Sequence, residues 1–209
     1  RNRIRKKKRF YRRCIKKAGK YMKERNVIKM NKKILIISSS YRKNGNSETL
    51  AKEFEKGAIE AGNESEMVYL RDYEIKFCKG CLACQKTRKC PIKDDMQELI
   101  EKVKNTEVLV FVTPIYYYCM SGQLKTFLDR LNPLYGQDNK FKEIYLIASA
   151  ADDSEEAMEI AEKEVQGWID CFEGVSLKKV LCGIGCNEVG EVNKKEELLN
   201  KAYNMGKDI

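Results

Sequence analysis

Four cysteines spaced C-x2-C-x2-C-x5-C, Cys78, Cys81, Cys84 and Cys90, are the densest set of reactive side chains in this sequence. Three thiolates at successive three-residue steps on a turning loop converge on one side, and a fourth closes the cage. Gly80 lets the backbone approach closely, and Pro91 follows the last cysteine, as in the related C-x2-C-x2-C-x3-C-P run of bacterial ferredoxins. The residues alone leave three chemistries open: a 4Fe–4S cluster, a zinc ion held by four thiolates, or an unmetallated thiol loop. Zinc sites come more often as two separated cysteine pairs. The chain has no histidine, so any metal is held by Cys or carboxylate, and a His-based triad or general base is excluded.

A second group lies in the stretch ILIISSSYRKNGNSETL, residues 34–50. A short β-branched run feeds a Ser/Asn/Gly turn and then a helical pattern. Free backbone N–H groups, hydroxyls and the positive end of a helix dipole collect there, which makes an anion pocket suited to a phosphate. The turn lacks the lysine of G-x-x-x-x-G-K-[ST], and Gly45 is its only glycine, so it is neither a triphosphate loop nor G-x-G-x-x-G. A single terminal phosphate monoester fits better than a pyrophosphate. The plain alternative is an ordinary turn with Ser47 as N-cap.

The elements that must position these groups alternate strictly. Strands are expected at 34–37, 67–70, 108–112, 144–148 and 175–181. Helices are expected at about 48–61, with Leu50, Phe54, Ala58 and Ile59 on one stripe, and from Asp94 onward, with Met96, Leu99, Ile100 and Val103 inward. Further helices cover QLKTFLDRL, 154–172 and 194–206. Five alternating units imply an α/β fold, a doubly wound five-stranded parallel sheet with helices on both faces. Its ligand would sit beyond the strands' carboxyl ends, between the loops after strands one, three and four. Tyr116, Tyr117 and Tyr118 occupy the loop after strand three, where they line a ligand or form an aromatic cluster at a sheet edge or dimer interface. Lys125 and Asp129 read as a helix-surface pair. Cys182 and Cys186 read as small-residue packing at a strand end.

The net charge of +10 is unevenly placed. Residues 1–33 hold 17 of the 41 Lys/Arg but only one acid, Glu24, so the remaining 176 residues carry 24 basic against 30 acidic side chains. The body therefore gives no reason to expect nucleic acid as a partner. Met30 reads as a native start, with residues 1–29 a basic, disordered or non-native leader and residues 30–209 a single domain carrying a cysteine-rich insert at 71–93. No apolar run approaches the ~20 residues of a membrane span, so no membrane partner is expected. Nine cysteines without secretory patterning point to the cytoplasm.

S-S-Y-R-K-N-G-N-S (39–47) resembles the G-S-P-R-x-x-G-N-[ST] phosphate loop of the NADPH-dependent FMN reductases, in the flavodoxin-like superfamily. T-P-I-Y-Y-Y (113–118) and S-G-Q-L-K-T-F-L-D-R (121–130) resemble that family's second flavin loop and following helix, and residues 78–96 resemble the insert of its iron–sulfur flavoprotein relatives. Two departures stand out: Ser39 where the pattern has Gly, and Tyr41 where it has Pro. The resemblance implies a flavodoxin-like domain with strand order 2-1-3-4-5. It also implies an FMN phosphate held by Ser40, Arg42, Asn44, Asn46 and Ser47. Pro114, Ile115, Tyr116 and Tyr117 would bracket the ring system, Ser149 and Ala150 would close its far edge, and Cys78, Cys81, Cys84 and Cys90 would carry a 4Fe–4S cluster. No side chain is expected to be catalytic, since a flavin performs the chemistry itself. The implied activity is NAD(P)H oxidation with a quinone, nitro compound, free flavin or ferredoxin-like acceptor, in a homodimer or homotetramer. An electron carrier without nicotinamide turnover is the alternative, and a zinc-stabilised interaction module a third.

Overall fold

In β1 (Lys33–Ser38), Ile34 and Ile36 join one buried cluster while Leu35 and Ile37 join another, as the two-residue period of an extended chain requires. β3 (Val108–Tyr116) repeats the division, with Val108, Val110 and Val112 opposite Leu109 and Phe111. Strands apolar on both faces belong in the centre of a covered parallel sheet. These are features of the computed structural model of the chain, which describes residues 31–209. The expected leader at 1–29 lies outside the described residues.

β1 and β3 pair in parallel, flanked by β2 (Glu64–Tyr69) on one side and by β5 (Glu143–Ser149) and β6 (Ser176–Gly183) on the other. The order β2-β1-β3-β5-β6 is the 2-1-3-4-5 expectation once the two-residue β4 (Cys119–Met120), antiparallel to the end of β3, is set aside. α1 (Asn46–Glu60) and α6 (Glu196–Lys207) cover one face. α3 (Met96–Lys104), α4 (Gly122–Arg130) and α5 (Glu159–Ile169) cover the other. The short α2 (Ala83–Thr87) lies inside the cysteine-rich insert. The chain leaves β1 toward β2 and later returns to β3 on β1's other side. The crevice of such a reversal opens between the carboxyl ends of β1 and β3.

Several boundaries differ from the sequence expectation, each for a physical reason. β2 starts three residues early because Glu64, Ser65 and Glu66 stand on a half-exposed edge strand. Ile59 is 55% exposed, since it lies about 100° around the helix from Ala58. The expected 154–172 helix opens as a 3-10 turn, Glu155–Met158, before α5. The four residues that lengthen β3 carry it into a hairpin with β4.

α1 and α6 cross at two glycines. A Cβ on Gly57 would lie 2.0 Å from the Tyr203 carbonyl oxygen, and one on Gly206 would lie 2.0 Å from that of Phe54. Backbone occupies the space a methyl would need. Gly57→Ala is therefore expected to lower the unfolding free energy by about 1–3 kcal/mol, the usual range for an overpacked contact, and urea denaturation would measure it.

Candidate functional site

The turn that leaves β1 is locked to β3 and α4 through hydroxyls. The Ser39 N–H and the Ser39 hydroxyl each donate to Val112 O at 2.9 Å, and the Ser121 hydroxyl donates to Ser39 Oγ at 2.8 Å. Ser121 in turn caps α4, its Oγ accepting from Leu124 N–H, while its own N–H donates to Thr113 Oγ1. Ser39 thus adds contacts a glycine could not. It needs no left-handed backbone: among the described non-glycine residues only Asn44, Leu82, Arg88, Tyr117 and Tyr118 have positive φ.

Gly45, rather than Ser47, takes the N-cap position of α1 and offers no side-chain cap. The first helical bond runs from Thr49 N–H to Gly45 O. The N–H groups of Asn46, Ser47 and Glu48 therefore lack intrahelical partners, at the positive end of the dipole. Asn46 and Ser47 border a cavity of about 130 Å³ between the carboxyl ends of the strands. Of the residues singled out by sequence, Ser40, Arg42, Asn46, Ser47, Pro114, Ile115, Tyr116 and Ser149 line it. Pro114 and Ser149 are brought together by the β3–β5 register, and Ser149 pairs in turn with Gly183.

Asn44, Tyr117 and Ala150 do not line this cavity. Asn44 adopts φ 55° and accepts from Lys52 Nζ. Ala150 is buried, its backbone bonded to Gly183 O and Cys186 N–H. Tyr117 stands 97% exposed at the hairpin tip. Tyr117 and Tyr118 are the two central residues between paired Tyr116 and Cys119, with φ 51° and 66°. This left-handed pair is the geometry of a tight hairpin turn that ordinarily takes Asn-Gly.

One wall was not foreseen. Cys186, Asn187 and Val189, from the loop after β6, face the β1–α1 turn across the cavity. The Asn46 side chain holds that loop, donating to Cys186 O and Glu188 O and accepting from Val192 N–H. Arg42 Nη1 donates to Asn187 O at 2.8 Å. The signal in sequence was the pair Gly185 and Gly190, both at positive φ, which lets the chain double back after the last strand.

The cysteine insert is a separate structure with its own anchor. Asp94 and Arg130 form a forked ion pair at 2.6 and 2.9 Å, with both side chains wholly buried. Arg130 also donates to Lys76 O and to Cys90 Sγ, and Asn132 Nδ2 donates to Cys84 Sγ at 3.2 Å. Gly80 N–H donates to Cys78 Sγ. Three of the four sulfurs so receive N–H donors, which suits thiolate. Yet among the described residues no three Cys, Asp or Glu side chains converge on one metal position. Cys78 and Cys81 are exposed, and Cys84 is buried. Burial pushes the Asp94 carboxyl up, but Arg130 and the Lys76 and Met96 N–H groups outweigh it and hold the carboxyl below its usual range.

Comparison with known proteins gives the family and the fold. Residues 32–181 match the sequence profile of the NADPH-dependent FMN reductases. An iron–sulfur flavoprotein of Methanocaldococcus jannaschii is 38% identical over 102 residues, covering 49% of this chain and 53% of that protein. The chain thus spans about half that relative's length. A Bacillus subtilis protein provisionally named as an NAD(P)H-dependent FMN-containing oxidoreductase is 29% identical over 83% of this chain and 96% of its own. In structure, an NAD(P)H:quinone oxidoreductase from Methanothermobacter marburgensis superposes with a TM-score of 0.67 at 20% identity, over 85% of this chain and 96% of that one. That likeness supports the fold. No helix among the described residues is long and apolar enough to cross a membrane.

The buried Arg130–Asp94 pair is testable without any ligand. Arg130→Met strands a buried carboxylate and is expected to cost about 3–5 kcal/mol of stability. A carboxyl held low when folded stabilises above its unfolded pKa and loses that contribution as pH falls through the folded value. The wild-type advantage over Asp94→Asn is therefore expected at neutral pH and should shrink on acidification below the usual carboxylate range, as read by denaturation at each pH.

Proposed function

The chain belongs to the NADPH-dependent FMN reductase family, and on that basis we propose that it is an FMN-dependent oxidoreductase. It would take a hydride from NADH or NADPH and deliver electrons to a quinone, nitro compound, free flavin or redox-protein acceptor. When bound, a flavin supplies both hydride and single-electron chemistry. The chain's part is to hold, orient and shield it.

The observation that carries this reading is the start of α1, where the amide N–H groups of Asn46, Ser47 and Glu48 are free of helical partners and Asn46 and Ser47 line a cavity at the β1–β3 crevice. Donors without an acceptor at the positive end of a helix fit a phosphate monoester. Ser40 and Ser47 add hydroxyls there, and Arg42 a cation at the rim. Pro114, Ile115 and Tyr116 form the apolar wall toward which a ring system would lie, with Ser149 beside Pro114 on the neighbouring strand. Asn44, Tyr117 and Ala150 would serve from outside the cavity: Asn44 by its turn, Ala150 by its backbone. Tyr117, exposed to 97%, would serve by covering the ring or by meeting a second copy in a homodimer or homotetramer. The free thiols of the described residues suit the reducing cytoplasm.

The finer part of the proposal is a 4Fe–4S cluster on Cys78, Cys81, Cys84 and Cys90. The relatives named as iron–sulfur flavoproteins and the N–H donors on three of the sulfurs support it. The thiols as placed do not fit a cluster, so the insert would have to close around one.

Titration with FMN under argon is expected to quench flavin fluorescence at one flavin per chain, and the loaded protein to oxidise NAD(P)H. Absence of binding overturns the reading, while binding without oxidation leaves the electron carrier. Anaerobic reconstitution with iron and sulfide should load roughly four of each per chain and give a broad absorbance that Cys84→Ser abolishes. Uptake of one zinc and no iron would replace the cluster by a structural metal.

A further inference from the structure

Glu48 is in a strange place for an anion site. It is the third residue of α1, its amide is one of the three donors without a helical partner, and its side chain is 3% exposed. A carboxylate there has the same sign as the phosphate the site is read to hold, and burial limits the screening by water. Two cations meet it. Lys52 Nζ lies 2.8 Å from Oε1 and Arg71 Nη1 lies 2.8 Å from Oε2. Burial raises the Glu48 pKa, but the hydrogen bonds from Lys52 and Arg71 outweigh it and hold the carboxyl low.

Arg71 does more than close this pair. The same Nη1 donates to Ser40 O at 3.1 Å, the guanidinium lies 4.3 Å from the centre of the Tyr69 ring, and Nε is buried with no partner. Holding Ser40 O fixes the Ser40–Tyr41 peptide plane. In a trans peptide the following N–H then points away from Arg71. The side chain arises just after β2, so it joins an edge strand to the underside of the β1–α1 turn.

We propose that Arg71 is the positioning residue that makes this turn selective for a phosphate-bearing flavin. It cancels the Glu48 charge and sets the orientation of the Ser40 peptide. The inference rests on the FMN reading above and deepens it: the phosphate, rather than the ring system, is what Arg71 recognises through the loop. Without Arg71 the buried Glu48 faces an incoming dianion with Lys52 alone.

The test compares FMN with riboflavin, which differs only by lacking the phosphate, binding to the full chain by fluorescence quenching under argon. Arg71→Met is expected to weaken FMN at least tenfold while changing riboflavin less than about twofold, and adding Glu48→Gln should restore most of the FMN affinity. General loosening of the fold would weaken both ligands alike, and that result overturns the proposal, as does a double variant no better than Arg71→Met. Should Arg71→Met fail to fold, Glu48→Gln alone decides the matter. It leaves Arg71 and Lys52 uncompensated, so the preference for FMN over riboflavin should rise, and an unchanged preference overturns the proposal. Wild-type protein that binds neither flavin rejects the FMN reading itself, whereas wild-type binding with unaltered ratios in the variants rejects the Arg71 role alone.

Discussion

A parallel strand buried on both faces must still satisfy its backbone where it ends, and where β1 ends one carbonyl of β3, Val112 O, takes on that task. It accepts from the N–H and the hydroxyl of Ser39, and Ser39 accepts from Ser121, which caps α4. Three segments distant in sequence are thereby fixed at one point. The direction in which the β1–α1 turn leaves the sheet follows from it, and so does the position of the free α1 amides. Without that fixed exit, Ser40, Ser47 and Tyr116 would have no reason to share a cavity.

The insert hangs from a similar device used twice. It begins near Arg71, buried against Glu48, and ends at Asp94, buried against Arg130. Buried pairs of this kind contribute less to net stability than apolar packing would, but breaking one is costly. They suit a segment whose ends must stay put while its middle, with residues 82 and 88 in left-handed backbone, carries exposed thiols.

Much of this was legible in the sequence because periodicity reports burial. The central strands and, Ile59 apart, the inward faces of α1 and α3 followed from runs such as Ile34 to Ile37 and from strict alternation, while the strand order was implied by the family resemblance. The polar edge strand β2 hid its first three residues for the same reason, since half-exposed positions carry no apolar signal. Arg130 escaped notice although it lies three residues past Phe127 on the buried side of α4, where a charge demands a buried partner. The wall formed by Cys186 to Val189 was missed although Gly185 and Gly190 flank it, because what seats it against the crevice is the Asn46 side chain, a contact across 140 residues that leaves no local trace. The convergence of the four thiols was inferred from spacing alone, and spacing does not specify how a loop turns.

The hairpin between β3 and β4 carries a last implication. Two tyrosines occupy left-handed positions where Asn-Gly would sit without strain, and bulky side chains there are disfavoured by about 1–2 kcal/mol each. A screen for heat tolerance that ignored chemistry would settle on this turn early and swap both rings for smaller residues. The variants would melt later, and they would have traded away the most prominent aromatic surface on the rim of the crevice.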